Sequence, residues 1–337
     1  MTKKRILIGL TVLLALLTGG AYGAWWWVME RPVPMKGAQV DYIVEAGAGP
    51  RAIARSMSEA GIAIDELQFV VLARLTEQDK LLQAGAYEAL QGDTLWRLLE
   101  RMAQGDMMQT RLTFVEGWDY KRMRQQLAAD SNVKQTLAQN PEADQALLQR
   151  LGEKPERLNP EGLFYPDTYV FVPGTTDFDI LRRAHQAQSE LLAKLWAERD
   201  PDLPLKDPYE ALILASIVEK ETGHSADRER VAGVFVNRLR RGMLLQTDPT
   251  VIYGMGEAYE GRIRKRDLQT DTPWNTYTRA GLPPTPIANP GKAALLATLH
   301  PEKHDYLYFV SRGDGTSEFS KNLNDHNRAV RKYILNK

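Results

Sequence analysis

The feature that most restricts this chain is the uncharged run from Ile6 to Met29, which follows Lys3-Lys4-Arg5. About 20 apolar helical residues span the hydrocarbon core of a bilayer, so the run is long enough to cross one. Trp25-Trp26-Trp27 fall where an aromatic belt meets the far interface, and the basic flank places residues 1–5 in the cytoplasm. A cleaved signal peptide is the competing reading, with Ala21-Tyr22-Gly23-Ala24 as the cut. The run is long for a signal peptide and the tryptophans would lie beyond the cut, which favours an uncleaved anchor. The expectation is a single-pass bacterial inner-membrane protein, with residues 6–29 as its transmembrane helix and the C-terminal domains in the periplasm.

The remainder must fold in water. A chain of 337 residues with 43% hydrophobic side chains is enough for two cores. Lys+Arg and Asp+Glu balance at 43 each, which argues against a general nucleic-acid binder. There is no cysteine, so disulfides, iron–sulfur clusters, thiolate zinc sites and cysteine nucleophiles are excluded together.

The patterning predicts an α+β chain. Residues 30–37, rich in proline, read as a short stiff linker. Val40 to Glu45 alternates like a strand, and Ile53, Met57 and Ile62 mark a helix ending near Gly61. The same order returns as a strand at Gly85 to Leu90, a turn at Gly92-Asp93-Thr94 and a helix through Leu95, Leu98, Leu99 and Met102. It returns more weakly as a strand from Thr110 to Glu116 and a helix from Asp119 to Ala129. Asp65 to Thr76 adds an amphipathic helix. This grammar, particularly Tyr87, Gly92, Thr94, Leu95 and Leu98, resembles LysM-like carbohydrate-binding modules, which are small βααβ units. The resemblance implies a LysM-like α/β module over residues 38–130 that binds glycan; a spacer domain of the same topology fits the pattern equally. Residues 131–159 read as a helical linker and residues 160–337 as a mixed α+β domain.

Within that domain an apolar helical run ends abruptly in two glutamates, Ala211 to Val218 followed by Glu219-Lys220-Glu221. Leu214, Ile217, Val218 and Glu221 fall at i, i+3, i+4 and i+7, so Glu221 prolongs the stripe facing the core. Glu219 lies roughly 200° around the helix and cannot share a site with it on an ideal helix. Either Glu221 is a functional acid, or it ends the helix and pairs with Lys220, Arg228 or Arg230.

Other chemistries find no support. His185, His224, His300, His304 and His326 form no His-Glu-x-x-His pattern. Ser216 is followed three residues on by Glu219, where a serine nucleophile of one class needs lysine. Gly254-Met255-Gly256 lacks the rest of a phosphate loop. Carboxylate catalysis remains. Cleaving a glycosidic bond needs an acid still protonated near neutral pH, and burial against Leu214, Ile217 and Val218 raises a glutamate pKa in that direction. A hydrolase needs a second carboxylate, for which Asp248, Asp167 and Glu219 are candidates. If a hydroxyl of the sugar itself attacks, one acid/base suffices.

Five ordered blocks then carry a resemblance: Ser216 to Thr222; Val236-Asn237-Arg238-Leu239; Leu245 to Gly254; Tyr277 to Pro284; and Tyr306 to Val310. Together they resemble the YceG-like endolytic murein transglycosylases, over nearly the whole chain. That resemblance implies a membrane-anchored periplasmic enzyme that cuts nascent peptidoglycan strands internally, leaves 1,6-anhydro-N-acetylmuramic acid ends and so terminates glycan polymerisation. It implies no metal and no cofactor, and it makes glycan strands the substrate, with a peptidoglycan synthase as a candidate partner. The family's catalytic glutamate falls in Glu219-Lys220-Glu221 and is placed on Glu221, although an ungapped alignment to spore cortex-lytic enzymes, counted back from Asn237-Arg238, selects Glu219. Asn237 is a candidate to orient the acid or bind an acetamido group, or else a helix-packing amide. Gln246, Thr247 and Asp248 suit sugar hydroxyls or simply cap a turn. Asn275, Thr276 and Tyr277 precede a proline-stiffened loop placed to wall the groove, with Tyr277 carried forward as substrate-binding. A hydrolytic muramidase and a non-catalytic peptidoglycan-binding scaffold are the alternatives.

Overall fold

A computed structural model describes residues 3–335 except Gln139 and Leu158. It is a mixed α+β chain that divides into two compact units, residues 1–110 with 170–175, and residues 111–169 with 176–337.

The first unit begins with one helix, α1 (Lys3–Met29). Its stretch Leu10–Met29 has a mean hydropathy of 1.4 and is 0% buried, so it is long and apolar enough to cross a membrane. Then follow β1 (Gln39–Val44), α2 (Pro50–Ala60), α3 (Glu66–Leu75), β2 (Gly85–Leu90) and α4 (Leu95–Gln104). The two strands form one antiparallel ribbon, from Gln39 opposite Leu90 to Val44 opposite Gly85. They are therefore partners in a single sheet rather than the heads of successive repeats, as the recurring pattern had suggested. Alternation explains the packing: Val40, Tyr42 and Val44 turn inward onto Ile53, Met57, Phe69, Leu98 and Met102. Helix α4 is capped at both ends, with the Thr94 hydroxyl accepting from Arg97 N and Gly105 in the left-handed region at φ 70°.

The stretch expected as a linker, residues 30–37, is bound along this unit. Val33 N donates to Asp93 O at 2.8 Å, Lys36 N to Gly61 O at 3.0 Å, and Ala63 N to Pro34 O at 2.8 Å. Pro32 and Pro34 have no N–H to satisfy, Val33 and Lys36 donate theirs to the unit, and Val33 enters the core.

The second unit contains Arg111–Thr113 of the short strand β3 (Thr110–Thr113), then α5 (Tyr120–Ala129) and α6 (Pro141–Leu151). Strand β3 stops at Thr113 rather than Glu116, and its Thr113 hydroxyl lies 2.8 Å from that of Thr168, at the start of β4 (Thr168–Phe171). Within the stretch read as a helical linker, α6 is helical and Val133, Leu147 and Leu148 are buried. Next come α7 (Asp177–Ala197), α8 (Pro208–Glu221), α9 (Ser225–Arg240), α10 (Asp248–Met255), α11 (Lys265–Gln269) and α12 (Lys292–Leu299). A hairpin of β5 (Tyr308–Ser311) and β6 (Ser317–Ser320) pairs Tyr308 with Ser320, and α13 (Leu323–Val330) follows it.

Helix α8 is the centre of this unit. Every residue from Ala211 to Val218 is buried, and α7, α9, α10 and α12 pack around it. Asp207 caps it by accepting from Glu210 N at 2.9 Å, with Pro208 in the first turn. Its middle two turns are enclosed, which fixes the direction in which the helix delivers the residue at its end.

Candidate active site

That residue is Glu221, the last of α8. The residue is half-buried, and its carboxyl meets the chain between α9 and α10, where Thr247 donates its hydroxyl hydrogen to Glu221 Oε1. The position of that hydroxyl is set by backbone geometry. Gln246 occupies the left-handed region at φ 48°, uncommon for a residue with a side chain, and its N–H donates to Thr276 O at 3.1 Å. Thr247 N donates to Thr276 Oγ1 at 3.1 Å, while Thr250 Oγ1 lies 2.7 Å from Thr247 O and 2.8 Å from Thr276 Oγ1. Three buried threonines thus satisfy one another and leave the Thr247 hydroxyl aimed at the acid.

Burial pushes the Glu221 carboxyl up to about 7. The Thr247 hydrogen bond opposes this rise, the Asp248 carboxylate adds to it, and the Arg238 guanidinium opposes it again. Arg238 is itself buried on α9, donating to Leu307 O and Leu245 O at 2.7 Å each, and desolvation lowers its pKa. Asp248 accepts from the Tyr277 hydroxyl at 2.6 Å, and burial together with that bond raises the Tyr277 pKa. Such a carboxyl exists near neutral pH both with and without its proton, which is what an acid that later acts as a base requires.

Glu219 has a different environment. Its side chain is 8% exposed, its Oε2 accepts from Gly291 N at 2.9 Å, and Arg228 stands 4.0 Å from Oε1. It ties the end of α8 to the start of α12, where a carboxylate is favoured by the helix dipole. Burial raises its pKa, and the Gly291 bond and Arg228 oppose the rise.

Residues 42–332 match the profile of the YceG-like family. The chain belongs to that family. It is 30% identical over 337 aligned residues to the endolytic murein transglycosylase of Bacillus subtilis strain 168, covering 96% of this chain and 92% of that protein. It is 27% identical over 371 residues to the endolytic murein transglycosylase of Streptococcus pneumoniae serotype 2 strain D39, covering 99% of this chain and 66% of that protein. The crystal structure of a YceG-like protein from Listeria monocytogenes superposes with a TM-score of 0.53 at 28% identity, over 86% of this chain and 98% of that one.

Of the residues singled out from the sequence, this YceG-like chain brings together Glu221, Thr247, Asp248 and Tyr277. Gln246 contributes its backbone, with its side chain exposed. Asn237 is engaged elsewhere: its amide donates to His304 O at 2.7 Å and Tyr306 O at 3.1 Å, bracing α9 against the segment before β5. Asp167 accepts from Thr168 N at 2.7 Å, beside the short strands. Asn275 is buried and holds the backbone at Leu268 and Thr270, at 3.1 and 2.7 Å.

Sequence reasoning missed Arg238 and Thr250 as members of the site, although each lies in a quoted block, and it gave Thr276 only a place in the groove wall. It also missed Glu161, a buried carboxyl that accepts from Tyr120 N at 3.0 Å, Tyr253 Oη at 3.3 Å and Asn289 Nδ2 at 3.3 Å. Glu161 lies at a groove of about 810 Å³ whose other lining residues include Lys220, Pro249, Ile252, Tyr253 and Trp274. The groove therefore adjoins residues next to both Glu221 and Asp248 in the chain.

Proposed function

We propose that this chain is a membrane-anchored endolytic lytic transglycosylase that cleaves the N-acetylmuramic acid to N-acetylglucosamine bond of peptidoglycan strands. Family membership supports the reaction class, and the two relatives above carry that name. The observation that carries the residue assignment is the Glu221 carboxyl, fixed by Thr247 and pushed up to about 7. Glu221 gives its proton to the glycosidic oxygen as the bond from the muramyl anomeric carbon breaks. The muramyl 6-hydroxyl oxygen then bonds to that carbon, and its proton passes to the Glu221 carboxylate. The acid is regenerated, no water is consumed, and the product is a 1,6-anhydro end. Thr247 orients the carboxyl. Tyr277 and Asp248, joined by their hydrogen bond, supply polar groups for sugar hydroxyls. No metal or cofactor enters this chemistry.

The basic flank of α1 supports a periplasmic position for the rest of the chain, and a peptidoglycan synthase working on nascent strands is the candidate partner. Division into a module over 38–130, a connecting stretch over 131–159 and a catalytic domain over 160–337 is part of the proposal. The order β1–α2–α3–β2, with its strands antiparallel, supports a LysM-like reading of the first of these. Hydrolysis is the second reading, because Asp248 stands close enough to act on Glu221 electrostatically.

Product mass separates the readings. Uncrosslinked strands incubated with the protein yield fragments one water lighter than hydrolysis products if the reaction is transglycosylation; water-added products would establish a muramidase, and intact strands a scaffold. Glu221→Gln is expected to lose activity by a factor on the order of 10²–10⁴. Glu219→Gln should keep turnover per folded molecule. The reverse result would move the acid to Glu219.

A further inference from the structure

Helix α3 presents an apolar face with no covering among the described residues. Leu67, Val71 and Leu75, at i, i+4 and i+8, are 62%, 45% and 80% exposed, while Phe69, Val70 and Ala73 on the opposite side fill the core. Three large apolar side chains in line along one helix are unusual on a water-facing surface. Arg74 is exposed beside them, a residue whose stem lies along apolar material while its guanidinium reaches polar headgroups.

The end of α1 lies next to the start of α3. Trp27 packs against the first unit's core, α1 contacts α4, and Trp27 and Arg31 share a cavity of about 270 Å³ with Asp65 and Gln68. The Arg31 guanidinium sits 5.5 Å from the Trp27 ring. The segment that leaves α1 has no slack, because Val33, Pro34 and Lys36 are hydrogen-bonded to the body of the unit. Ten helical residues extend about 15 Å, so all of α3 lies within that distance of its first turn at the α1 exit. The headgroup layer on each side of a bilayer is roughly 5–8 Å deep. A helix tethered this closely can lay its apolar face into that layer, as interfacial helices do.

We infer that the Leu67–Val71–Leu75 face of α3 is a lipid-contacting surface that seats the first unit on the bilayer its own α1 crosses. This rests on the membrane-anchor reading proposed above. Seating would fix the orientation of the unit at the membrane rather than leaving it on a flexible tether.

The chain contains no cysteine, so single labels can be placed without background. Full-length protein carrying Leu67→Cys, Val71→Cys, Leu75→Cys, Leu14→Cys or Glu59→Cys is labelled with an environment-sensitive fluorophore and reconstituted into phosphatidylethanolamine–phosphatidylglycerol vesicles. Quenching by spin-labelled lipid and by aqueous iodide is then measured. Leu14 lies within α1 and reports the anchor; Glu59, exposed on α2, reports water. The inference expects lipid quenching at positions 67, 71 and 75 about threefold or more above that at 59, with iodide quenching correspondingly reduced. If position 14 is quenched by lipid but the α3 positions respond like 59, the seating is wrong and the anchor stands. If the α3 positions are protected from iodide without lipid quenching, a protein covers the face and the inference fails. If position 14 is itself unquenched by lipid, the anchor reading fails, and the inference with it.

Discussion

At the scale of single residues, the difference between Glu219 and Glu221 comes from their partners. Both are substantially buried, and burial raises both pKa values. Glu219 answers a backbone N–H and faces Arg228, whereas Glu221 is met by one hydroxyl and a neighbouring carboxylate. Removing that hydroxyl should raise the Glu221 pKa further, because the bond favours the ionised form. Thr247→Val is therefore expected to move the alkaline limb of the kcat/KM profile to higher pH and to lower kcat by about 10–100-fold, since the carboxyl loses its orientation. A profile that keeps its limb while activity falls would mean Thr247 acts on the substrate instead. The position of Glu221 at the end of an apolar stripe was legible in the sequence from helical spacing alone. The identity of its partner was not, since Thr247 reaches it only through a left-handed Gln246 and the distant Thr276. For the same reason the sequence left Asn237 open between the acid and helix packing; its amide braces α9, and its neighbour Arg238 is the one that acts on Glu221.

At the scale of elements, α8 and α4 were legible from their apolar period, and the caps agree with it: Asp207-Pro208 opens α8, and Thr94 and Gly105 bracket α4. Short strands were legible only to within a few residues, and α10 was read as a turn because Asp248-Pro249 is equally a turn and a helix start. The recurrence of strand, glycine and helix was real, but pairing of β1 with β2 spans some forty residues and leaves no local mark. Nor does the contact that locks α8 to the loop before α12. There Ser216, fully buried, donates to Ile213 O at 2.7 Å and accepts from Ile287 N at 3.0 Å. Ser216→Ala leaves that backbone N–H buried without a partner, which costs about 1–3 kcal/mol. Urea unfolding should show a lower midpoint with an unchanged slope; an unchanged midpoint would mean water or a shifted backbone takes over the bond.

At the scale of the whole molecule, the carboxyl chemistry of the second unit makes its stability depend on pH. Glu161 is 4% exposed and is pushed up to about 8, first by burial, against the bonds from Tyr120 N and the Tyr253 hydroxyl. Glu221 is pushed up to about 7. In each case the folded chain holds its proton to a higher pH than the unfolded chain, where a glutamate titrates near 4.3. Between these values the unfolded state binds fewer protons, so unfolding becomes easier as pH rises. The stabilisation is complete below about pH 4, declines from there and is spent above about pH 8 for Glu161 and above about pH 7 for Glu221. The full Glu161 contribution is on the order of a few kcal/mol. Glu161→Gln cannot ionise, keeps an amide oxygen for Tyr120 N, and should flatten the decline in Tm between pH 5 and 8 while leaving the smaller part due to Glu221. Glu161→Gln/Glu221→Gln should remove that part as well. Calorimetry across that range decides it: if the Glu161→Gln slope matches the unsubstituted protein, the carboxyl is ionised throughout. Its three donors would then outweigh its burial, and the wall of the groove that Lys220 and Pro249 also line would be held by a buried charge.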